Sequence, residues 1–225
     1  MVESHAHTLR INDEIPNVEC ITDMHDKTTT HELVGDSWAI MFSHPKDFTP
    51  VCTTEFGTVA SLADAWKARN TKCIGVSVDD AESHRGWKTD IEKVSGAKAE
   101  FPIIADIDLK VAKAFNMLPA EAYMPETGRT AAHSATVRTV FIIGPDKKIK
   151  LSMTYPMSVG RNFNEVLRCL DAIQTTAKHG VVTPANWQVG DDVVIPPTVS
   201  NDDAKAKFGE FDTILPYLRK TKLPQ

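Results

Sequence analysis

The stretch that most restricts what this chain can fold into is residues 38–57. An apolar run, Trp38-Ala39-Ile40-Met41-Phe42, passes through Ser43 and His44 into a segment punctuated by Pro45 and Pro50, and a new periodic segment opens around Cys52 to Glu55. An apolar run bounded by turn residues reads as a buried strand, and the renewed helical period reads as a helix. Cys52 therefore falls where a strand gives way, through a loop, to the first turn of a helix. First-turn amides lack partners within the helix and sit at the positive end of its dipole, so they favour a thiolate over a thiol. A nucleophilic cysteine is the chemistry this order suggests, and it needs an accessible sulfur in a positive environment.

The remainder alternates strands and helices around that unit. Residues 1–36 read as a leading strand or hairpin with extended loop, and His5 and His7 as an exposed tail rather than a metal-binding arm. Residues 53–70 read as one amphipathic helix, with Phe56, Val59, Leu62 and Trp66 on its apolar side and Thr53 or Thr54 as its cap. Cys73 to Val78 is a short buried strand. A helix over 81–95 presents Trp87, Ile91 and Val94 on one face, a strand covers Phe101 to Ala105, and a short helix follows through Phe115. Residues 116–134 read as a long surface loop. Val137 to Ile143 and Ile149 to Met153 form a hairpin around Gly144-Pro145-Asp146-Lys147-Lys148, and a long helix runs from Arg161 to Ala177.

This order points to a three-layer α/β domain over residues 1–175. The stretch 176–225 is punctuated by Pro184, Pro196 and Pro197 and carries scattered apolar anchors such as Trp187 and Phe208. It is too short to build a large core of its own, so it is expected to pack on its own domain or on a partner subunit.

Charge and cysteine usage narrow the function classes. The formal net charge is -5 and no basic block appears, which gives no reason to expect a nucleic-acid partner. No apolar run approaches the roughly 18 residues of a membrane span, and the N-terminus lacks a secretory pattern, so a cytoplasmic location is expected. The four cysteines, at positions 20, 52, 73 and 169, form no paired motif. In a chain of this length that argues for reduced thiols over a disulfide scaffold.

Around Cys52, Thr49 offers a hydroxyl for the sulfur or a bound substrate, and Pro45 shapes a loop that shields the pocket. Arginine is the best charge partner, because it stays protonated and presents a planar fork of donors. Arg138 interrupts the apolar strand from Val137 to Ile143, and Arg161 opens the long helix. The bland alternative has one of them reaching solvent and the other merely starting a helix; isolated charges inside strand patterns are more often paired.

The segment Pro45-Lys46-Asp47-Phe48-Thr49-Pro50-Val51-Cys52 resembles the Pro-x-x-x-Thr-x-x-Cys motif of peroxiredoxins. Its surroundings, with Val137-Arg138, Tyr155-Pro156, Gly160-Arg161-Asn162-Phe163 and Thr183-Pro184-x-x-Trp187, resemble the one-cysteine subfamily of the AhpC/TSA peroxiredoxins over nearly the whole chain. The resemblance implies a thioredoxin-like fold, a central mixed β-sheet flanked by helices, with a small C-terminal peroxiredoxin extension. It implies a thiol-specific peroxidase that reduces hydrogen peroxide and organic hydroperoxides, phospholipid hydroperoxides among them, through a Cys52 sulfenic acid. By the same matching Pro45 and Thr49 form the active loop and Arg138 is the main arginine. His44 and Arg161 are further pocket residues, and Glu55 orients arginine. It implies no cofactor and no metal, an external thiol reductant (glutathione or a thioredoxin-like donor), and a homodimer. The Val-Cys-Pro segment of two-cysteine relatives is absent, and Cys20, Cys73 and Cys169 read as small buried hydrophobes.

A second activity is weighed beside this one. Gly35-Asp36-Ser37-Trp38-Ala39 approaches a Gly-x-Ser-x-Gly elbow but departs from it at Ala39. Some one-cysteine peroxiredoxins have a calcium-independent phospholipase A2-type activity, and the matching residues are Ser37, His31 and Asp146, with transient phospholipid contact. Ser37 as a turn residue and Asp146 as a hairpin residue are sufficient readings. A third class is a non-catalytic chaperone on the same fold.

Overall fold

A computed structural model describes residues 8–122, 128, 130 and 133–223. His5, His7 and part of the loop after residue 122, including Pro125, lie outside the described residues.

The chain begins with a two-residue ladder of β1 (Glu19–Cys20) and β2 (Thr28–Thr29) and the short helix α1 (Thr30–Val34). β3 (Trp38–Ser43) follows, then α2 (Pro50–Ser61), α3 (Ala63–Ala68), β4 (Thr71–Ser77), α4 (Ala81–Ser95), β5 (Ile103–Ala105) and α5 (Lys110–Ala114). The hairpin of β6 (Arg138–Ile143) and β7 (Ile149–Tyr155) leads to α6 (Phe163–His179). The five-stranded sheet has the order β5-β4-β3-β6-β7, parallel from β5 to β3 and antiparallel from β3 to β7. This is a thioredoxin-like mixed sheet with helices on its faces, followed by a distinct C-terminal extension.

Strand alternation assigns the two faces. Ala39 and Met41 of β3 join Ile74, Val76, Phe141 and Ile143 in a core closed by Leu33 and Val34 of α1 and Val111 and Ala112 of α5. Phe42 points the other way, its ring 4.9 Å from Phe56 of α2 and 5.6 Å from Phe163. Gly75 of β4 lets α2 come this close, because a Cβ there would stand 2.9 Å from the Phe56 ring. α2 is thus clamped over the sheet one turn beyond Cys52.

Three local expectations are corrected. Residues 53–70 are two helices, because the Trp66 indole donates to the Val59 carbonyl (3.0 Å), the acceptor Ala63 N–H would use in an unbroken helix. The helix starts earlier, with Thr49 as its N-cap and Pro50 in its first position, where a missing N–H costs nothing; Thr53 and Thr54 instead bond back to the carbonyls of Thr49 and Val51. On α4, Trp87 and Ile91 are buried, but Val94 is 63% exposed.

The chain divides into two compact units, residues 1–163 and 164–225. The second has more structure of its own than its composition suggested. β8 (Val193–Ile195), β10 (Leu218–Thr221) and β9 (Asp212–Leu215) form a three-stranded antiparallel sheet in that order, with α7 (Asn201–Phe208) between β8 and β9. Val181, Trp187 and Val193 make a small core with Ala172, Phe208 and Leu223 against it. Arg219, buried, stitches the unit by donating to Asn201 Oδ1 (2.7 Å) and to the carbonyls of Pro196 and Val199 (2.8 and 2.6 Å).

Candidate active site

Cys52 occupies the first turn of α2, where the local sequence positioned it. The loop before it turns through Phe48, whose φ of 53° is a left-handed conformation that a bulky side chain adopts only when its surroundings hold it there. Lys46 helps: its carbonyl accepts from Thr49 Oγ1 at 2.8 Å. The Thr49 hydroxyl therefore closes its own loop here and is not directed at the sulfur. Pro45 is half-buried in the same loop.

Arg138 begins β6 and is 3% exposed. Its Nη1 donates to Cys52 Sγ at 3.3 Å and to Glu55 Oε2 at 2.8 Å, while Nε donates to the Met157 carbonyl at 2.8 Å. Glu55 lies one turn along α2 from Cys52 and accepts from a second arginine. Arg161 donates through its backbone N and Nε to Oε1 (2.8 and 2.9 Å), through Nη2 to Oε2 (2.7 Å), and through Nη1 to the Thr139 carbonyl (3.1 Å). The Arg161 guanidinium also lies 5.4 Å from the Phe42 ring centre and 5.3 Å from that of Phe163, a cation over aromatic faces. Burial pushes the Glu55 carboxyl up, but the hydrogen bonds and charge of Arg161, with Arg138 behind it, more than offset this and hold it below the usual carboxylate range. One buried anion thus fixes two buried cations, and one of the two reaches the sulfur.

His44 follows β3 directly. It is fully buried, edge-on to Phe56 with ring centres 4.5 Å apart and stacked on Trp87 at 4.8 Å. Its Nε2 meets Asp47 Oδ1 at 2.7 Å, and the other oxygen of Asp47 meets His84 Nδ1 at 2.7 Å. Sequence reasoning named His44 but missed Asp47 and His84. Asp47 stands inside the Pro-to-Cys loop as an available signal; His84 gave none, because its partner is 37 positions away.

The sulfur departs from expectation in one respect: Cys52 is fully buried in this conformation, not accessible. Its side chain lies on the buried face of α2 with Glu55 and Phe56, against the Arg138 guanidinium. The other thiols behave as structural cysteines. Burial pushes the Cys73 thiol up, burial and then Asp106 and Glu32 push Cys20 up to about 11, and burial with a hydrogen bond to Glu165 pushes Cys169 up to about 11. All three are poor nucleophiles near neutrality.

The three hydrolase candidates do not assemble. His31 Nε2 bonds the Ile15 carbonyl (2.8 Å), Asp146 accepts from Lys150 Nζ (2.6 Å) and Lys148 N (3.2 Å), and Ser37 lines a groove with Leu33, Trp66 and Cys73. The hairpin tip does reach the vicinity, through a Lys147 to Asp36 ion pair of 3.6 Å. Yet among the described residues no hydrogen bond joins any two of Ser37, His31 and Asp146, so the base and orienter that a serine nucleophile needs are missing from this arrangement.

Comparison with known proteins gives a consistent result. The AhpC/TSA family model matches residues 11–152, and that of the C-terminal domain of 1-Cys peroxiredoxin matches residues 172–210. The mitochondrial peroxiredoxin PRX1 of Saccharomyces cerevisiae is 51% identical over 221 residues, covering 98% of this chain and 83% of that protein. The 1-Cys peroxiredoxin A of Oryza sativa subsp. japonica is 47% identical over 222 residues, covering 96% and 98%. Among solved structures, a yeast mitochondrial 1-Cys peroxiredoxin, studied for its thiol resolving mechanism via glutathione/thioredoxin systems, superposes with a TM-score of 0.87 at 51% identity, over 96% of this chain and 100% of that one. A cysteine-to-serine mutant of peroxiredoxin 6 of Arenicola marina gives 0.88 at 40% identity, over 96% and 99%.

Proposed function

Since the chain belongs to the AhpC/TSA family, in its 1-Cys peroxiredoxin branch, and is a thiol peroxidase working through a single catalytic cysteine and an external thiol reductant, we propose that the cysteine is Cys52 and that Arg138 is its charge partner. The observation that carries this reading is the Arg138 Nη1 to Cys52 Sγ contact of 3.3 Å inside the Glu55 and Arg161 frame.

The chemistry follows from that contact. The Cys52 sulfur attacks the terminal oxygen of a hydroperoxide along the O–O axis; the S–O bond forms as the O–O bond breaks, and the electron pair leaves on the distal oxygen, which takes a proton to become water or an alcohol. The sulfur is oxidised to a sulfenic acid. Arg138 stabilises charge growing on the leaving oxygen, and Arg161, held through three contacts to Glu55, keeps Arg138 from drifting. Thr49 and Pro45 shape the entrance, and Thr49 exchanges its bond to Lys46 for one to the peroxide when substrate enters. His44 walls the pocket on the Phe56 side. An external thiol then attacks the sulfenic acid and releases water, and a second thiol restores Cys52. Glutathione or a thioredoxin-like protein fits this role, by analogy with the yeast relative.

The finer assignments follow the same reading. Residues 1–175 carry the chemistry; residues 176–225 form an extension that supports a homodimer. Hydrogen peroxide and organic hydroperoxides, including those of phospholipids met in transient contact, are the substrates. The location is the cytosol; fractionation decides between that and the mitochondrial address in the yeast relative's name.

The test is intact-protein mass after one equivalent of hydrogen peroxide. Reduced wild type gains one oxygen rapidly, trapped as a dimedone adduct on Cys52, and Cys52→Ser gains none. Oxidation that persists in Cys52→Ser, or that appears as an internal disulfide, overturns the assignment.

A further inference from the structure

Helical periodicity groups Val94 with Trp87 and Ile91, yet it is 63% exposed, and Phe48, in the left-handed turn of the active loop, is 57% exposed. The two line one groove of about 440 Å³ beside α2 and α4, completed by Thr49, Pro50, Thr53, Thr54, Asp90 and Lys93. Gly86, Asp90 and Val94 recur every fourth residue and so form one stripe of α4, about 12 Å long. At the near end the Phe48 ring lies over Gly86, 3.6 Å from where a Cβ would stand. One turn beyond Thr53 and Thr54 the helices meet, since a Cβ on Gly57 would stand 2.8 Å from that of Ser95. The groove thus begins at the active loop, is walled by two apolar side chains and stops at a helix contact.

What can occupy it follows from how its polar groups are engaged. Thr49 Oγ1 donates to the Lys46 carbonyl (2.8 Å), Thr53 Oγ1 to the Thr49 carbonyl (2.8 Å) and Thr54 Oγ1 to the Val51 carbonyl (2.7 Å). The Thr53 oxygen also accepts from the Trp87 indole at 3.0 Å. Lys93 Nζ donates to Asp90 Oδ1 at 3.0 Å, so the charges on the walls offset each other. A polar occupant finds no free hydroxyl hydrogen and no net charge, whereas an apolar one covers Phe48 and Val94. Position then selects among apolar occupants. The leaving oxygen of an organic hydroperoxide bears its carbon chain, and the donor for that oxygen, Arg138, is buried with Glu55 and Arg161. A chain attached there has to run outward past Thr49, the N-cap of α2, which lines the groove.

We propose that this groove is the subsite for the unbranched alkyl chain of an organic hydroperoxide, and that Phe48 and Val94 set the preference for such substrates over hydrogen peroxide. The proposal rests on the peroxidase reading and adds to it the place where the tail is held. Hydrogen peroxide has no tail and is served at the sulfur alone. Tail contacts made on binding persist through the attack, so they raise the rate constant at low substrate without altering the chemistry at Cys52.

The test is stopped-flow oxidation of Cys52 in the reduced protein by hydrogen peroxide and by ethyl, butyl, hexyl and octyl hydroperoxide. In wild type the second-order rate constant should rise by about twofold per methylene, short of the roughly fourfold of a fully buried one because the groove is open on one side. The rise should stop once the chain outruns Val94. Val94→Ser, a change at an exposed helix position, should cut the hexyl-to-ethyl ratio by at least about threefold while the hydrogen peroxide rate stays within about twofold of wild type. Phe48→Ser should cut the ratio further. Rates independent of chain length in wild type overturn the proposal, as does a ratio unchanged in both variants or a loss in Val94→Ser that hydrogen peroxide shares. The competing occupant is a second copy of this chain, read by sedimentation at the assay concentration: a mass that changes with Val94→Ser while the ratio holds marks an interface and also overturns the proposal. Failure of wild-type Cys52 to react with hydrogen peroxide is a distinct result, which strikes the peroxidase reading and the subsite with it.

Discussion

Two buried carboxylates flank Cys52, and they are used in opposite ways. Glu55 pairs with Arg138 and Arg161, whose charges persist at every pH a protein survives, and so builds a fixed field around the sulfur. Asp47 pairs with His44 and His84, whose hydrogens can be gained, lost or moved between ring nitrogens, and so fixes a hydrogen-bond direction. The contrast teaches that one side of this site is organised by charge and the other by tautomer, and that each should fail in its own way.

The largest break should come on the charge side. Glu55→Ala leaves two buried guanidinium groups facing each other, and removing one member of a buried ion pair costs about 3–5 kcal/mol, measurable by denaturant unfolding. If Glu55→Ala is as stable as wild type, the shared-anion account of the arginines is wrong. Next, Arg138→Met keeps the packing of the stem but removes the donor to sulfur; oxidation of Cys52 by peroxide should slow about 10²-fold in stopped-flow measurements, the scale of one lost charge-stabilising donor. An unchanged rate would remove Arg138 from the chemistry.

The two sides should also separate on acidification. The neutral, buried His44 has its folded value lowered below its ordinary 6.5, so as pH falls through 6.5 the unfolded chain takes up a proton that the folded one does not, and stability declines. Glu55 has its folded value depressed below 4.5; its contribution is complete above 4.5 and is lost only as pH falls from there through the folded value. Thermal unfolding should therefore weaken in two stages, and His44→Phe should abolish the first while sparing the second. A single transition near pH 4 in both proteins would contradict this. The smallest expected effect lies outside both clusters: Ser37→Ala should leave peroxide reduction within about twofold of wild type, as surface-groove substitutions usually do.

What could be read from the chain tracks the range of the interactions involved. The β3-to-α2 junction was legible because a run of apolar residues, two prolines and the return of a helical period are local signals, and Arg138 was legible as a lone charge in an apolar strand. Arg161 and the start of a helix looked alike until Glu55 was seen to accept from its side chain. The burial of Cys52 was not legible, because the guanidinium that lies against its sulfur, that of Arg138, arrives from 86 positions away. The break at Leu62 depends on an indole competing for one carbonyl, and periodicity does not register it. In the extension, β9 and β10 are four residues each and carry Thr213, Arg219 and Lys220, so no apolar alternation announced a sheet.

The reach of Glu55 has a consequence for how the protein is made. Its arginine partners lie 83 and 106 positions downstream, so a ribosome releases the cysteine long before either cation exists to meet it. Until β6 and the start of α6 are synthesised and docked, position 52 is an ordinary thiol on an unfinished chain. Oxidative reactivity is thus withheld from nascent and misfolded molecules and granted only with completion, which makes correct folding the safety catch on the chemistry.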